Sequence, residues 1–367
     1  MRVLNVIMTL DDVKGGGTVE RTVQMTRHLS AAGVDCEILT TTSPEKKSRE
    51  LTGIKVTALK CVWERFYFPL PDMGKIKAAV KRADVIHIMN HWCLLNAFVY
   101  LTAQLQHKPY VVCPAGALPI FGRSKTLKRL YNMIIGKAII LRAAHCIAIT
   151  KNEVPHFLSY GVKPEKISII PNGIDIEPVK HSKIPAVPSG PYITFLGRLN
   201  NIKGPDMLLD AFIALKNALP YSLVFLGPDN GMLQVLRATA EKHGVADRTH
   251  FAGFVDQETK SAFLSGCEFL VIPSRQEAMS IVVLEAAMAS KPVLLTDQCG
   301  INEVEEQGGG FVVPATVEGL RNGLLKMYAC RGFFVEMGAE LNVFAEKNYA
   351  WEVITKKFTD LYASLIG

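Results

Sequence analysis

Two carboxylates and two cations carry the chemistry this chain can offer. Glu277 and Glu285 stand eight positions apart in Pro273-Ser274-Arg275-Gln276-Glu277-Ala278-Met279-Ser280-Ile281-Val282-Val283-Leu284-Glu285-Ala286. The apolar run 269–273 before them predicts a fully buried strand, and the Ala-rich run 281–289 predicts a helix. Glu277 then lies on the loop at the strand's carboxyl end, and Glu285 more than a turn inside the helix. In an open α/β sheet, ligands bind in the crevice beside such a loop. The first amides of the helix, at Ser280 and Ile281, are unpaired donors on a partly positive terminus, which suits a diphosphate. Two acceptor-only carboxylates beside a diphosphate suit the hydroxyls of a sugar and of a ribose.

The cations stand on another loop. An expected strand at 192–196 leads into Gly197-Arg198-Leu199-Asn200-Asn201-Ile202-Lys203-Gly204-Pro205. Gly197 permits a tight exit, and Pro205 with Asp206 reads as the first turn of a helix. Arg198 offers a planar fork of donors and Lys203 a point charge, and both could face a diphosphate and stabilise it as a leaving group. The bland alternative is two solvated loop cations. Near the N-terminus, Lys14-Gly15-Gly16-Gly17-Thr18-Val19-Glu20 follows the first expected strand. Gly16 and Gly17 allow close backbone approach, and Thr18 can cap the next helix. This is not a G-x-G-x-x-G fingerprint, so a dinucleotide reading is poor. A flexible structural loop is the alternative. His91, in Asn90-His91-Trp92, follows an expected strand at 85–89 and reads either as an active-site group or as a hydrogen-bonded structural histidine.

Elements that position these residues come from periodicity. Short β-branched runs alternate with helical patterns throughout, the signature of parallel sheets covered by helices. Strands are predicted at 3–8, 36–41, 56–59, 85–89, 110–113, 146–150 and 167–170, then at 192–196, 222–226, 250–253, 269–273, 293–296 and 311–313. Between the two sets, Pro171-Asn172-Gly173-Ile174-Asp175 marks a turn, and a Lys/Pro/Ser-rich stretch to Pro191 reads as a linker. The domains are set at 1–172 and 173–346, followed by a C-terminal helix in 347–367 that could belong to either half. Its expected buried positions are Trp351, Val353, Ile354, Phe358, Leu361, Tyr362 and Leu365.

Composition excludes several classes. At 367 residues the chain is too long for one typical domain and suits two. Hydrophobic residues at 49% against 20% charged argue for large cores and against disorder. The eight cysteines are scattered with no C-x-x-C pair, which argues against a disulfide framework or zinc site and for a reducing cytoplasm. The first residues read as a strand rather than a signal peptide. Lys137 and Arg142 interrupt the best candidate for a membrane span. A net charge of +7 fits anionic ligands or an anionic membrane surface and does not by itself indicate nucleic acid.

Taken together, Gly197-Arg198…Lys203-Gly204, Pro171-Asn172-Gly173-Ile174-Asp175 and Glu277…Glu285 resemble the glycosyltransferase family 4 group, over essentially the whole chain and most densely at 167–314. The resemblance implies the GT-B fold, two Rossmann-like domains facing across a cleft, with an acceptor-side first domain and a second domain that binds a nucleotide sugar. It implies a retaining hexosyltransferase that needs no metal and no cofactor beyond its donor substrate, such as a UDP- or GDP-sugar. By the same carry-over, Arg198 and Lys203 hold the diphosphate, Glu285 the ribose hydroxyls, and Glu277 the transferred sugar. Phe254, after Gly253, matches the region against the base, although it could equally be core, and Gly16 and Gly17 match the family's glycine loop. In three places the chain departs from the pattern. Ala115 stands where many members carry a His near the donor sugar, Ala278 replaces a common Gly, and Ser290 sits where Gly often precedes Lys-Pro.

For the acceptor, the resemblance implies a glycan or lipid-linked molecule in surface polysaccharide or glycolipid synthesis, and no nucleic acid. Segment 123–137 bears an apolar stripe (Leu127, Leu130, Tyr131, Ile134, Ile135) and a basic face (Lys125, Lys128, Arg129, Asn132). It could lie on an anionic membrane surface as a peripheral contact on the cytoplasmic side, or simply cover a sheet. The aromatic-rich run 63–69 is expected as a loop. Two competing readings are a catalytically silent nucleotide-sugar-binding subunit and a nucleotide-sugar epimerase or phosphorylase on the same fold. The chain shows neither the length nor a lysine-anchored pyridoxal site that a phosphorylase would need.

Overall fold

The computed structural model describes the chain except residues 43–50, 64–67, 71, 121–123, 177–187, 189 and 367, and the side chains of 12–16. It divides into two compact units, Met1–Gly173 with Trp351–Gly367, and Ile174–Ala350. Much of the linker expected before Pro191 lies outside the described residues.

The first unit is built on eight strands: β1 (Arg2–Thr9), β2 (Asp35–Thr42), β3 (Lys55–Trp63), β4 (Phe68–Pro69), β5 (Val85–Met89), β6 (Tyr110–Cys113), β7 (His145–Ala148) and β8 (Ile167–Ile169). Their order is β4-β3-β2-β1-β5-β6-β7-β8, parallel except for the antiparallel β3–β4 pair. Central strands such as Val-Ile-His-Ile-Met in β5 are buried at every position, as expected of a sheet covered on both faces. β1 pairs with β2 on one side and β5 on the other, so the chain reverses direction across the sheet at β1–β5. β4 corrects the expectation of a loop over 63–69. Phe68–Pro69 adds a short edge strand, where a proline's missing N–H costs no ladder bond.

A second correction concerns the glycines. Helix Asp12–Ala31 begins before them and runs through Gly15, Gly16 and Gly17, so no loop separates β1 from the helix at those positions. The downstream turns are anchored by fully buried Val19, Val23 and Leu29. Once nucleated, the helix gains a hydrogen bond for each residue added. Each glycine weakens that propagation by about 1 kcal/mol relative to alanine, so the first turns are the least stable part of the helix. Thr18 is inside the helix, and its carbonyl accepts a bond from Thr22 Oγ1 at 2.8 Å.

One buried cation fastens the two ends of this unit. Arg21 is 2% exposed. Its Nη1 donates to Pro171 O at 2.7 Å and Asn172 Oδ1 at 2.8 Å, and its Nη2 donates to Ile170 O at 2.8 Å. Its guanidinium lies 5.6 Å from the Phe358 ring centroid. Phe358 belongs to helix Trp351–Ile366, which returns to the first unit and packs on helix Asp12–Ala31. Trp351 stacks on His28 with centroids 5.0 Å apart, and Tyr362 Oη lies 2.7 Å from His87 Nδ1. A Cβ at Gly173 would lie 2.4 Å from the Trp351 ring, so the exit from the unit is open only to glycine. Arg21→Met should remove the three bonds and leave their acceptors buried. The expected loss is on the order of 3 kcal/mol of unfolding free energy, read by urea denaturation. A change under about 0.5 kcal/mol would contradict the anchoring role.

The second unit has six strands: β9 (Tyr192–Leu196), β10 (Ser222–Leu226), β11 (Thr249–Gly253), β12 (Leu270–Ile272), β13 (Val293–Thr296) and β14 (Gly310–Val313). The order is β11-β10-β9-β12-β13-β14, all parallel. Phe195, Leu223, Phe225, Phe269 and Leu294 fill its core. The direction reverses between β9 and β12, and this switch point is where the candidate site forms.

Candidate active site

The loops leaving β9 and β12 are stitched together at the carboxyl edge of the second sheet. Arg275 Nη1 donates to Asn201 O at 2.7 Å and Asp206 Oδ1 at 2.8 Å, and its Nη2 donates to Asp206 Oδ2 at 2.7 Å. Burial pushes the Asp206 carboxyl up, but this two-toothed pairing outweighs it and holds the group below its ordinary value. Backbone contacts repeat the link, with Arg275 N donating to Ile202 O at 2.7 Å. Gly204 has φ +66°, and a Cβ there would lie 2.1 Å from Pro273 O. The two loops approach so closely that a side chain would force them apart.

This stitching brings two of the four expected charges together. Lys203 Nζ lies 2.8 Å from Glu277 Oε2, with the side chains 22% and 10% exposed. Ser274 Oγ donates to Glu277 Oε1. Glu277 N donates to Gln298 O at 2.9 Å, and Ser280 N donates to Cys299 O at 2.9 Å. The turn containing Cys299 and Gly300 therefore supports the Glu277 loop from behind. Gly300 has φ +73°, and a Cβ there would lie 2.1 Å from Ala278 O. Burial, with Glu277 as a further cause, pushes the Cys299 thiol up to about 12, so it stays protonated and inert.

Ser280 is the N-cap of helix Ile281–Met288 and is fully buried. Its Oγ has no hydrogen-bond partner among the described residues. Glu285, in the second turn, pairs with Lys260, whose Nζ lies 2.5 Å from Glu285 Oε1. Arg198 is exposed, and its side chain makes no hydrogen bond or ion pair among the described residues. Phe254 follows Gly253 and is 80% exposed, which excludes the core alternative. Arg275, Asp206, Ser274 and Lys260 join the site without having been singled out in the sequence. Ser274 and Arg275 stand just before Glu277 in the same segment, separated from it by Gln276. Lys260 carries a weaker signal, lying one turn before the buried Phe263 and Leu264 on the same helix face.

A cavity of about 590 Å³ lies elsewhere on this unit, along β11, lined by Arg237, His250, Phe251, Thr259 and Phe263 among others. It touches none of Arg198, Lys203, Glu277 and Glu285.

Gly16, Gly17 and His91 belong to the first unit. Gly17 is exposed at the start of its helix. His91 is 1% exposed. Its Nε2 donates to Asn132 Oδ1 at 2.9 Å, and the rings of Trp92, Tyr131 and Tyr160 meet it edge-on at centroid distances of 4.4, 5.7 and 6.0 Å. Burial pulls its pKa down to about 4 against the raising effect of Asn132. His91 is thus an enclosed, neutral, hydrogen-bonded structural residue, the second of its two readings. Ala115, in the place expected for a family His, has φ +50°. The neighbouring Glu153 accepts from Ile149 N at 2.8 Å.

Gly300→Ala should displace the Glu277 loop. A tenfold or greater loss of nucleoside-diphosphate affinity is expected with an intact fold by circular dichroism. Unchanged affinity in a folded variant would show that the turn does not position the site.

Comparison with known proteins defines the class. The model of glycosyl transferases group 1 matches residues 177–347, and that of Glycosyltransferase Family 4 matches 15–178. The chain is a family-4-like glycosyltransferase with the two-domain GT-B fold. The D-inositol 3-phosphate glycosyltransferase of Jonesia denitrificans is 28% identical over 202 residues, 49% of this chain and 48% of that protein, so the match spans about half of it. GDP-mannose:cellobiosyl-diphosphopolyprenol alpha-mannosyltransferase of Xanthomonas campestris is 23% identical over 96% of this chain and 94% of its own length. Two solved structures share the fold. Sucrose-phosphate synthase from Thermosynechococcus elongatus has TM-score 0.79 and 18% identity, covering 100% of this chain and 99% of that one. HepE of Anabaena, solved in complex with UDP, has TM-score 0.79 and 17% identity, covering 99% and 100%.

Proposed function

We propose that the protein moves a hexose from a nucleoside-diphosphate sugar to a hydroxyl of a glycan or lipid-linked acceptor, with retention at the anomeric carbon. The observation that carries this reading is the Lys203–Glu277 pair at the β9–β12 switch point, beside the start of helix Ile281–Met288. A lysine ammonium has three donors, so Lys203 can hold Glu277 and a phosphate oxygen together. In the reaction, the bond from the anomeric carbon to the diphosphate breaks, the acceptor oxygen bonds to that carbon, and the acceptor proton passes to a departing phosphate oxygen. Arg198, Lys203 and the Ile281 amide at the helix start stabilise the charge that develops on the diphosphate; the Ser280 amide, expected to be a free donor, is instead taken by Cys299 O. Glu277 orients the sugar hydroxyls, Glu285 takes the ribose hydroxyls, and the exposed Phe254 offers a face for the base.

The donor base is uridine or guanosine on this reading. The Xanthomonas relative's name specifies GDP-mannose and a diphosphopolyprenol-linked acceptor, and HepE was solved with UDP. No metal or resident cofactor takes part. Assay of transfer from a panel of UDP- and GDP-sugars to polyprenol-diphosphate-linked glycans tests the proposal. Glu277→Gln should lower turnover about 100-fold while donor affinity changes only a few-fold. Wild-type turnover in this variant would remove Glu277 from the mechanism. Donor binding without transfer to any acceptor would point instead to a silent nucleotide-sugar-binding subunit. Interconversion of sugars without transfer would point to an epimerase.

We further propose that the chain meets its acceptor at an anionic membrane surface on the cytoplasmic side. Helix Lys125–Tyr131 continues through a π-helical turn, Asn132–Gly136, into helix Lys137–Leu141. The wider turn changes the expected apolar stripe. Tyr131 and Ile135 turn inward, and the Tyr131 hydroxyl donates to Cys93 O at 3.0 Å. Leu127, Leu130, Met133 and Ile134 are left 50, 45, 78 and 70% exposed, with Lys125, Arg129 and Lys137 exposed alongside. Arg123 lies outside the described residues. On this reading the contact by this face is peripheral. Among the described residues no helix is long and apolar enough to cross a membrane. The double variant Met133→Asp, Ile134→Asp should bind phosphatidylglycerol-containing vesicles at least tenfold less tightly in flotation assays. Equal binding would exclude this face.

A further inference from the structure

Lys260 stands where its helix should be apolar. It is the fourth residue of helix Gln257–Gly266, and its i+3 and i+4 neighbours, Phe263 and Leu264, are 5% and 3% exposed. An ammonium on that face costs desolvation unless it is paired. The pairing is short and specific: Nζ lies 2.5 Å from Glu285 Oε1, with the side chains 19% and 21% exposed. Two of its three N–H donors remain, and Glu285 Oε2 accepts no hydrogen bond among the described residues. The helix is itself fixed, because Thr259 N donates to Asp256 Oδ1 at 2.8 Å and Lys260 N to Asp256 O at 2.9 Å. It follows the Gly253-Phe254-Val255 loop directly. The pair therefore ties a carboxylate on the helix that follows β12 to the helix that follows β11.

We propose that Lys260 is a positioning residue for nucleoside recognition. It holds Glu285 in one rotamer through Oε1 and so presents Oε2 to the vicinal hydroxyls of the ribose. The inference rests on the reading of Glu285 as the ribose ligand. A free glutamate would sample several rotamers and lose that freedom on binding; Lys260 removes most of this cost beforehand. A residue that acts this way controls selection of ribose over 2′-deoxyribose. A lysine that merely glues two helices together would leave that selection unchanged.

The test is calorimetric titration of the full chain with UDP, GDP and their 2′-deoxy counterparts. With whichever nucleotide binds, the wild type should prefer the ribonucleotide on the order of tenfold or more, as for one hydrogen bond to a charged group. Lys260→Met should shrink that preference to within about threefold, while affinity for the deoxy form stays near wild type. Lys260→Arg, which keeps the charge and the pairing, should retain the preference. If Lys260→Met does not fold, Lys260→Gln keeps one donor for Glu285 and should give an intermediate loss. Wild-type discrimination that persists unchanged in the Met or Gln variant overturns the role of Lys260 and leaves Glu285 as the ribose ligand. A wild type that binds both forms equally overturns the ribose reading of Glu285, and this inference with it.

Discussion

A carboxylate and an ammonium that share a half-buried space set the terms for the second unit. Glu277 and Lys203 come from loops that are 74 residues apart in the chain by their numbering. They meet at 2.8 Å because the sheet places β9 beside β12 at its switch point. Neither charge is fully screened there, so leaving either one alone would be costly. The surrounding features keep them together: the Arg275–Asp206 fork, the close approach of Gly204 to Pro273, and the turn at Gly300 under Ala278. Each contact joins the segments after β9, β12 and β13, so the protein's own contacts set where the two charges stand. Preorganised charge of that kind stabilises a developing anion without reorganisation at the moment of reaction.

The two units manage buried charge differently. The second unit places paired charges at the edge of its sheet, where ligands can reach them. The first unit buries Arg21 and gives its two Nη atoms backbone carbonyls and an amide side chain from 170–172, while its Nε has no partner among the described residues. The same cation faces Phe358 of the returning terminal helix. One residue thus ties the point where the chain leaves this unit to the helix that re-enters it. His87 and His91 are kept neutral by burial, so they contribute packing and hydrogen bonds rather than charge.

Much of this architecture was readable from the sequence, because a parallel sheet covered on both faces writes its strands as continuous apolar runs. Every predicted strand is present, with ends that move by a few residues. The edge strand Phe68–Pro69 was missed because two residues beside a proline carry no periodicity. The triple glycine misled for the opposite reason. Local propensity argued for a loop, while the helix is driven by apolar residues further along it. In the site, Lys203 and Glu277 could be singled out by residue type and by their place after strands. Their contact could not, since it depends on strand order. Lys260 carried only a weak signal, its spacing from Phe263 and Leu264, because it looks like any helix lysine until the fold shows it on the buried face. The exposed face at Met133 and Ile134 depends on a π turn, which shifts the helical period by a residue that no α-helical pattern anticipates.

The central claim is that Lys203, with the helix start behind Glu277, forms a diphosphate site. The most direct measurement compares the dissociation constants of a nucleoside diphosphate and its monophosphate, UDP against UMP and GDP against GMP, in wild type and Lys203→Met. The account predicts that the diphosphate binds at least tenfold tighter in the wild type, and that the difference collapses to a few-fold in the variant. Equal binding of mono- and diphosphate by the wild type, or an undiminished difference in Lys203→Met, would contradict it.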